Sequence, residues 1–81
     1  MELPTEFTFN TVPQMWKCKD EIFTKDSIDT QTIKKIDAAG VAFLVQWSKT
    51  LPQKKLRLLN TPQQVINLID TYRVSVLFQI E

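Results

Sequence analysis

Histidine is absent from this 81-residue chain, and glycine and cysteine occur once each, as Gly40 and Cys18. Without an imidazole the chain lacks the commonest general base, the commonest metal ligand and the Ser-His and Cys-His dyads of nucleophilic catalysis. One glycine cannot supply a Walker loop or a G-x-G-x-x-G phosphate cradle. One cysteine forms neither an internal disulfide nor a zinc cluster, which suits a reducing compartment. No stretch approaches the about 20 apolar residues of a spanning helix. Residues 1–9, with two glutamates and no apolar run, read as neither a secretory signal nor a membrane anchor, so a cytoplasmic protein without membrane insertion is expected. These absences argue against most enzymes, and no cofactor or metal is expected.

What is present describes one small domain: 43% hydrophobic residues, 23% charged and a net charge of +1. A chain of this size buries roughly 60 to 65% of its unfolded surface, enough for a single core with little stability in reserve. Residues 1–30 hold three lysines against six acids, residues 31–60 hold six basic residues against Asp37, and residues 61–81 hold Arg73 against Asp70 and Glu81. The basic pairs Lys34-Lys35 and Lys54-Lys55 with Arg57 lack interleaved glycine and stacking aromatics, so they read as a solvated face and no nucleic-acid partner is expected.

Periodicity predicts alternating strands and helices. Residues 6–9 read as a short strand, and Asn10 or Thr11 as the cap of a helix to Phe23 with Pro13 in its first turn. Val12, Met15, Trp16, Ile22 and Phe23 fall on one stripe of that helix. The β-branched stretch 28–33 reads as a strand, 38–49 as a helix stopped by Pro52, and 55–59 as a strand. Thr61, Pro62 and Gln64 then spell a capping box for a third helix with Val65, Leu68, Ile69 and Tyr72 on its buried stripe. The alternation of Val74, Val76, Phe78 and Ile80 favours a last strand. The expected fold is a small α/β layered domain, with a mixed, partly parallel sheet of about four strands and three helices.

The helix at 38–49 is apolar on nearly every side. Val41, Leu44 and Val45 point one way, and Ala39, Phe43 and Trp47 roughly the other. Two readings follow for Phe43 and Trp47: core beneath the next loop, or, with Ala39, the centre of an exposed protein interface. Asp37 reads as the helix cap and as a partner contact. Gly40 reads as a point of close backbone approach to the sheet or to a partner. Cys18, between Lys17 and Lys19, has no acid-base partner in sight and reads as a structural cysteine.

The segment Ile36-Asp37-Ala38-Ala39-Gly40-Val41-Ala42-Phe43-Leu44 resembles the signature turn of STAS domains, whose usual form is hydrophobic, Asp, Ser or Thr, a small residue, Gly, Leu. Ser27-Ile28-Asp29 resembles the family's strand ending in aspartate. Leu56-Arg57-Leu58-Leu59-Asn60-Thr61-Pro62 resembles its later strand and capped helix, and Tyr72-Arg73-Val74 sits where the family often has Tyr-Gly-Val. The resemblance covers nearly all of residues 25–78, and the compact form is most similar to the MlaB-type subunit of bacterial phospholipid ABC transporters.

The resemblance implies a non-enzymatic cytoplasmic subunit that binds and regulates the transporter's ATPase, with Asp37, Ala38, Ala39, Gly40, Phe43 and Trp47 as partner-binding residues. One alternative is an anti-sigma factor antagonist with a sigma-regulatory kinase as partner, and another is a nucleotide-binding STAS module. In regulatory members a phosphorylatable serine lies between the aspartate and the glycine. Here Ala38 and Ala39 have no hydroxyl, so a phosphoryl switch at that turn is absent. The resemblance also implies a turn or short helix at 74–78, against the strand that periodicity favours. Arg73 in place of glycine removes the easiest left-handed helix stop.

Overall fold

Strand β1 (Glu6–Phe7) lies parallel to β3 (Lys35–Ile36), with Phe7 opposite Ile36. A second parallel sheet has the order β2 (Ser27–Asp29), β4 (Leu56–Leu59) and β5 (Phe78–Ile80). Helices α1 (Val12–Lys17) and α2 (Lys19–Ile22) connect β1 to β2, α3 (Ala38–Thr50) connects β3 to β4, and α4 (Gln63–Thr71) lies between β4 and β5. The computed structural model describes residues 5–81; residues 1–4, which belong to the stretch read for targeting signals, lie outside the described residues. Among the described residues every strand pairing is parallel. The expectation of one mixed sheet with about four strands and three helices is therefore corrected, for those residues, to five strands in two parallel sheets with four α-helices.

Local polar chemistry explains most of these departures. The first helix breaks at Cys18, whose φ and ψ of −106° and 12° leave the helical region and whose amide donates to Met15 O three residues back. Thr11 does not cap α1 with its side chain; its hydroxyl donates to Glu6 O at 2.7 Å and accepts from Thr8 N at 3.0 Å. The strand expected over 28–33 stops at Asp29. There the carboxylate accepts from Gln31 N and starts a 3-10 turn, Thr30–Thr32, while Thr30 is buried and donates to Leu59 O. The capping box does not form. Thr61 Oγ1 donates to Leu58 O and Pro62 takes the cap position, so α4 begins at Gln63.

Residues 75–80 combine both readings of the last segment. A 3-10 turn, Ser75–Leu77, leads into β5, so Phe78 is buried while Val76 stays 72% exposed. Helix α4 does end in a left-handed residue, and that residue is Arg73 (φ 56°). Arg73 N donates to Asp70 O and Val74 N to Ile69 O, the two bonds of a Schellman stop made without glycine. Tyr72, assigned by its spacing to the buried stripe of this helix, is 46% exposed.

Phe7, Met15, Phe43, Leu44, Trp47, Leu56, Leu58, Val65 and Ile69 form the centre of the core, all nearly or fully inaccessible. Helix α3 touches β1, β3, β4 and α4, and α1 as well, and keeps one stripe, Ala38, Ala42, Gln46 and Lys49, in solvent. Each fully buried side chain of this class contributes roughly 1.5 to 3 kcal/mol. The most apolar helix of the chain is thus the one that both sheets, α1 and α4 contact.

Candidate functional site

The turn between β3 and α3 is fixed by one carboxylate. Asp37 is extended (φ −134°, ψ −169°), and its Oδ1 accepts from Ala39 N at 2.9 Å and Gly40 N at 3.2 Å, satisfying two of the first amides of α3. Its Oδ2 accepts from Phe9 N at 3.1 Å, and its own amide donates to Phe7 O at 3.1 Å. The cap reading of Asp37 holds, and the same side chain joins the end of β1 to the start of α3.

Gly40 explains how the two come so close. A β-carbon at this position would stand 1.9 Å from Phe7 O and 2.8 Å from both Phe7 C and Phe7 Cβ. The close approach expected of this glycine is therefore made to the backbone of β1. Gly40 is buried and Ala39 half-buried, while Ala38, Ala42 and Gln46 are exposed along α3. Phe9, its amide held by Asp37, is 69% exposed.

Phe43 and Trp47 are not on this surface. Both are fully buried, so the outward reading of these two positions is corrected. Trp47 Nε1 donates to Lys25 O at 2.8 Å, which satisfies the indole inside the core. Phe43 meets Trp16 edge-on at 4.9 Å and Phe23 at 5.3 Å between ring centroids, and Phe23 stacks on Trp47 at 5.9 Å. The helical angles placed Phe43 and Trp47 away from Leu44 correctly. What they lacked was the second layer, in which Trp16 and Phe23 of the α1 and α2 region cover that face.

Sequence reasoning missed Phe9 as a surface residue, because residues 6–9 read as one strand. The pairing ends at Phe7 and the chain turns at Thr8, whose carbonyl accepts from Thr11 N and Val12 N. A Thr-Phe-Asn-Thr stretch dense in side-chain acceptors is the signal that a turn was near.

A concavity of about 450 Å³ lies between the α1–α2 region and the C-terminal half of α3, lined by Trp16, Lys19, Asp20, Phe23, Thr24, Gln46 and Thr50. Its Thr24 and Thr50 hydroxyls donate to Glu21 O and Trp47 O in their own chain segments. Of the basic residues singled out above, Arg57 binds Glu81 (Nε to Oε2 2.7 Å) and Lys54 Nζ donates to Lys49 O at 2.8 Å. The Glu81 contact raises the Arg57 pKa, and the Arg57 hydrogen bond holds the Glu81 carboxyl below the usual carboxylate range. Cys18 is half-buried at the α1–α2 break. Among the described residues no three His, Cys, Asp or Glu side chains converge as metal ligands, and no helix is long and apolar enough to cross a membrane.

Together these residues present an exposed phenylalanine, small side chains and a helix start capped by Asp37. Comparison with models of known protein families, with curated proteins and with solved structures finds no match.

Proposed function

We propose that this chain is a non-enzymatic, cytoplasmic interaction module of the STAS type that docks its Asp37 turn, with Ala38, Ala42 and Phe9, on the ATPase of an MlaB-type phospholipid ABC transporter. The observation that supports this most is the double use of Asp37. One carboxylate oxygen caps α3 and the other holds the Phe9 amide, so that small residues and one exposed ring are presented on a rigid frame. Rigid presentation lowers the ordering cost of association, and small residues permit close approach. Asp37 and Gly40 support the site as framework, while Phe43 and Trp47 support it from within the core.

Such a module acts by binding one state of the ATPase more tightly than another, since equal affinity shifts nothing. The partner-switching alternative has less support. Ala38 and Ala39 carry no acceptor, and of the two upstream threonines Thr30 is buried with its hydroxyl on Leu59 O, while Thr32 is exposed with its hydroxyl on Asp29 O.

The test is calorimetric titration of the purified chain into the purified ATPase of a phospholipid ABC transporter of that type, with a melting curve for every variant. Phe9→Ala and Ala38→Arg should each weaken binding by about tenfold or more while melting within about 2 °C of the parent. A parent chain that does not bind that ATPase, or variants that bind it as the parent does, would overturn the reading.

A further inference from the structure

The concavity between the α1–α2 region and α3 holds chemistry that neither the core nor the Asp37 turn uses. Its aromatic lining forms a corner: the rings of Trp16 and Phe23 stand 6.2 Å apart between centroids, at 82° to each other. Both pack on the core, yet each residue is only half-buried and lines the cavity with what remains. One acid and one base, Asp20 and Lys19 of α2, line it as well, and both are exposed. Thr24 and Thr50 add hydroxyls whose single hydrogens already go to Glu21 O and Trp47 O, each at 2.7 Å, so toward the cavity both can only accept. Its volume of about 450 Å³ lies within the roughly 300 to 1,000 Å³ of small-ligand sites.

We propose that this cavity binds a small zwitterion whose cation is a fully methylated ammonium, seated in the Trp16–Phe23 corner with its anionic group toward Lys19. Aromatic walls at right angles attract a cation through the ring quadrupoles, and a methylated nitrogen suits them because it has no N–H bonds to water to give up. Asp20 supplies the opposite charge, and the Thr24 and Thr50 oxygens accept the polarised C–H groups beside the nitrogen. A bare cation would meet Lys19 unopposed and a bare anion would meet Asp20, whereas a zwitterion answers both. The site shares no residue with the Asp37 surface, so the two are tested separately.

The experiment is a proton–nitrogen NMR titration of the full chain that follows the two indole N–H signals. Trp16 reports on the cavity, and Trp47, whose indole donates to Lys25 O inside the core, is the internal reference. The first probe is glycine betaine, which should move the Trp16 signal with a Kd of about 10 mM or tighter. Choline lacks the anion, and tert-butylacetate keeps the shape of betaine without its positive nitrogen; each should bind about threefold or more weakly. Asp20→Asn should weaken both betaine and choline, while Lys19→Gln should weaken betaine alone, and as exposed substitutions both should melt as the parent does. Phosphatidylcholine headgroups carry the same pair of charges, so co-sedimentation with vesicles of that lipid is the second arm. A chain that binds betaine and also the vesicles assigns the zwitterion to a lipid headgroup, and one that binds betaine alone assigns it to a free solute. A Trp16 signal unmoved by about 50 mM betaine, tert-butylacetate bound as tightly as betaine, or Lys19→Gln acting alike on betaine and choline would each overturn the proposal.

Discussion

Replacing Gly40 with alanine sets two effects of opposite sign against each other. In a free helix the change stabilises by up to about 1 kcal/mol, because glycine is a poor helix former. Here the new methyl would stand 1.9 Å from Phe7 O and 2.8 Å from Phe7 Cβ. Ordinary contact requires α3 to withdraw from β1 by about 1 to 1.5 Å. That movement stretches the Asp37 N to Phe7 O and Phe9 N to Asp37 Oδ2 bonds, both 3.1 Å, and opens the edge-on contact of Phe7 with Phe43. Overpacking costs about 1 to 3 kcal/mol, and two weakened hydrogen bonds add about 1 kcal/mol each. The expected net loss is about 2 to 4 kcal/mol, out of a total of about 4 to 12 for a domain of this length. Urea unfolding followed by circular dichroism measures it, and the melting temperature should fall by about 10 °C or more. Ala42→Gly, at an exposed position of the same helix, is the control and should lose only about 1 kcal/mol. If Gly40→Ala melts at or above the parent, helix propensity outweighs the contact and the close packing of α3 on β1 is refuted.

Ser48→Ala should lose about 1 to 3 kcal/mol in chemical denaturation, because the buried hydroxyl accepts from Leu56 N and bonds to the carbonyls of Leu77 and Lys54; a loss under about 0.5 kcal/mol would show that these groups find other partners. Arg73→Gly, melted at low concentration, should gain about 0.5 to 1 kcal/mol, since relief of the left-handed conformation exceeds the added freedom of the unfolded chain; a lower melting temperature would contradict this. For Glu81→Gln the sign follows from the lowered carboxyl pKa: the pair with Arg57 stabilises the parent above the ordinary value of 4.5, and that stability is lost as pH falls through the lowered folded value. The parent's advantage in melting temperature should therefore be present near neutrality and vanish in acid, and an advantage that persists in acid would refute the assignment.

Three helices were legible in outline because periodicity and breakers agree there. The residues 38–49 and Pro52 define α3 to within a residue, and Asp37 as its cap follows from side-chain chemistry alone. The strand at 56–59 was legible for the same reason. What escaped was decided by side chains competing with the backbone. Thr11, Asp29 and Thr61 all carry oxygens placed to cap helices or join strands, and only the tertiary fold determines which carbonyl or amide each one meets. Strand order was likewise hidden. The stretch read as one strand is divided by the Thr30–Thr32 turn, so its first part pairs with β4 while β3, beyond it, pairs with β1.

The candidate surface was half legible, and the missing half follows from the size of the chain. A stripe that faces away from one layer is exposed only if no second layer covers it. Trp16 and Phe23, seven residues apart, already offered such a layer, matched to Phe43 and Trp47 four residues apart on α3. Once those four rings pack together, Phe9 is the ring that remains exposed beside the Asp37 turn. Burying it contributes at most about 3 kcal/mol, and the alanines beside it add little area. A partner seated on this face must therefore supply the concavity that receives Phe9, and its affinity depends on how well that concavity matches a ring whose backbone Asp37 already holds.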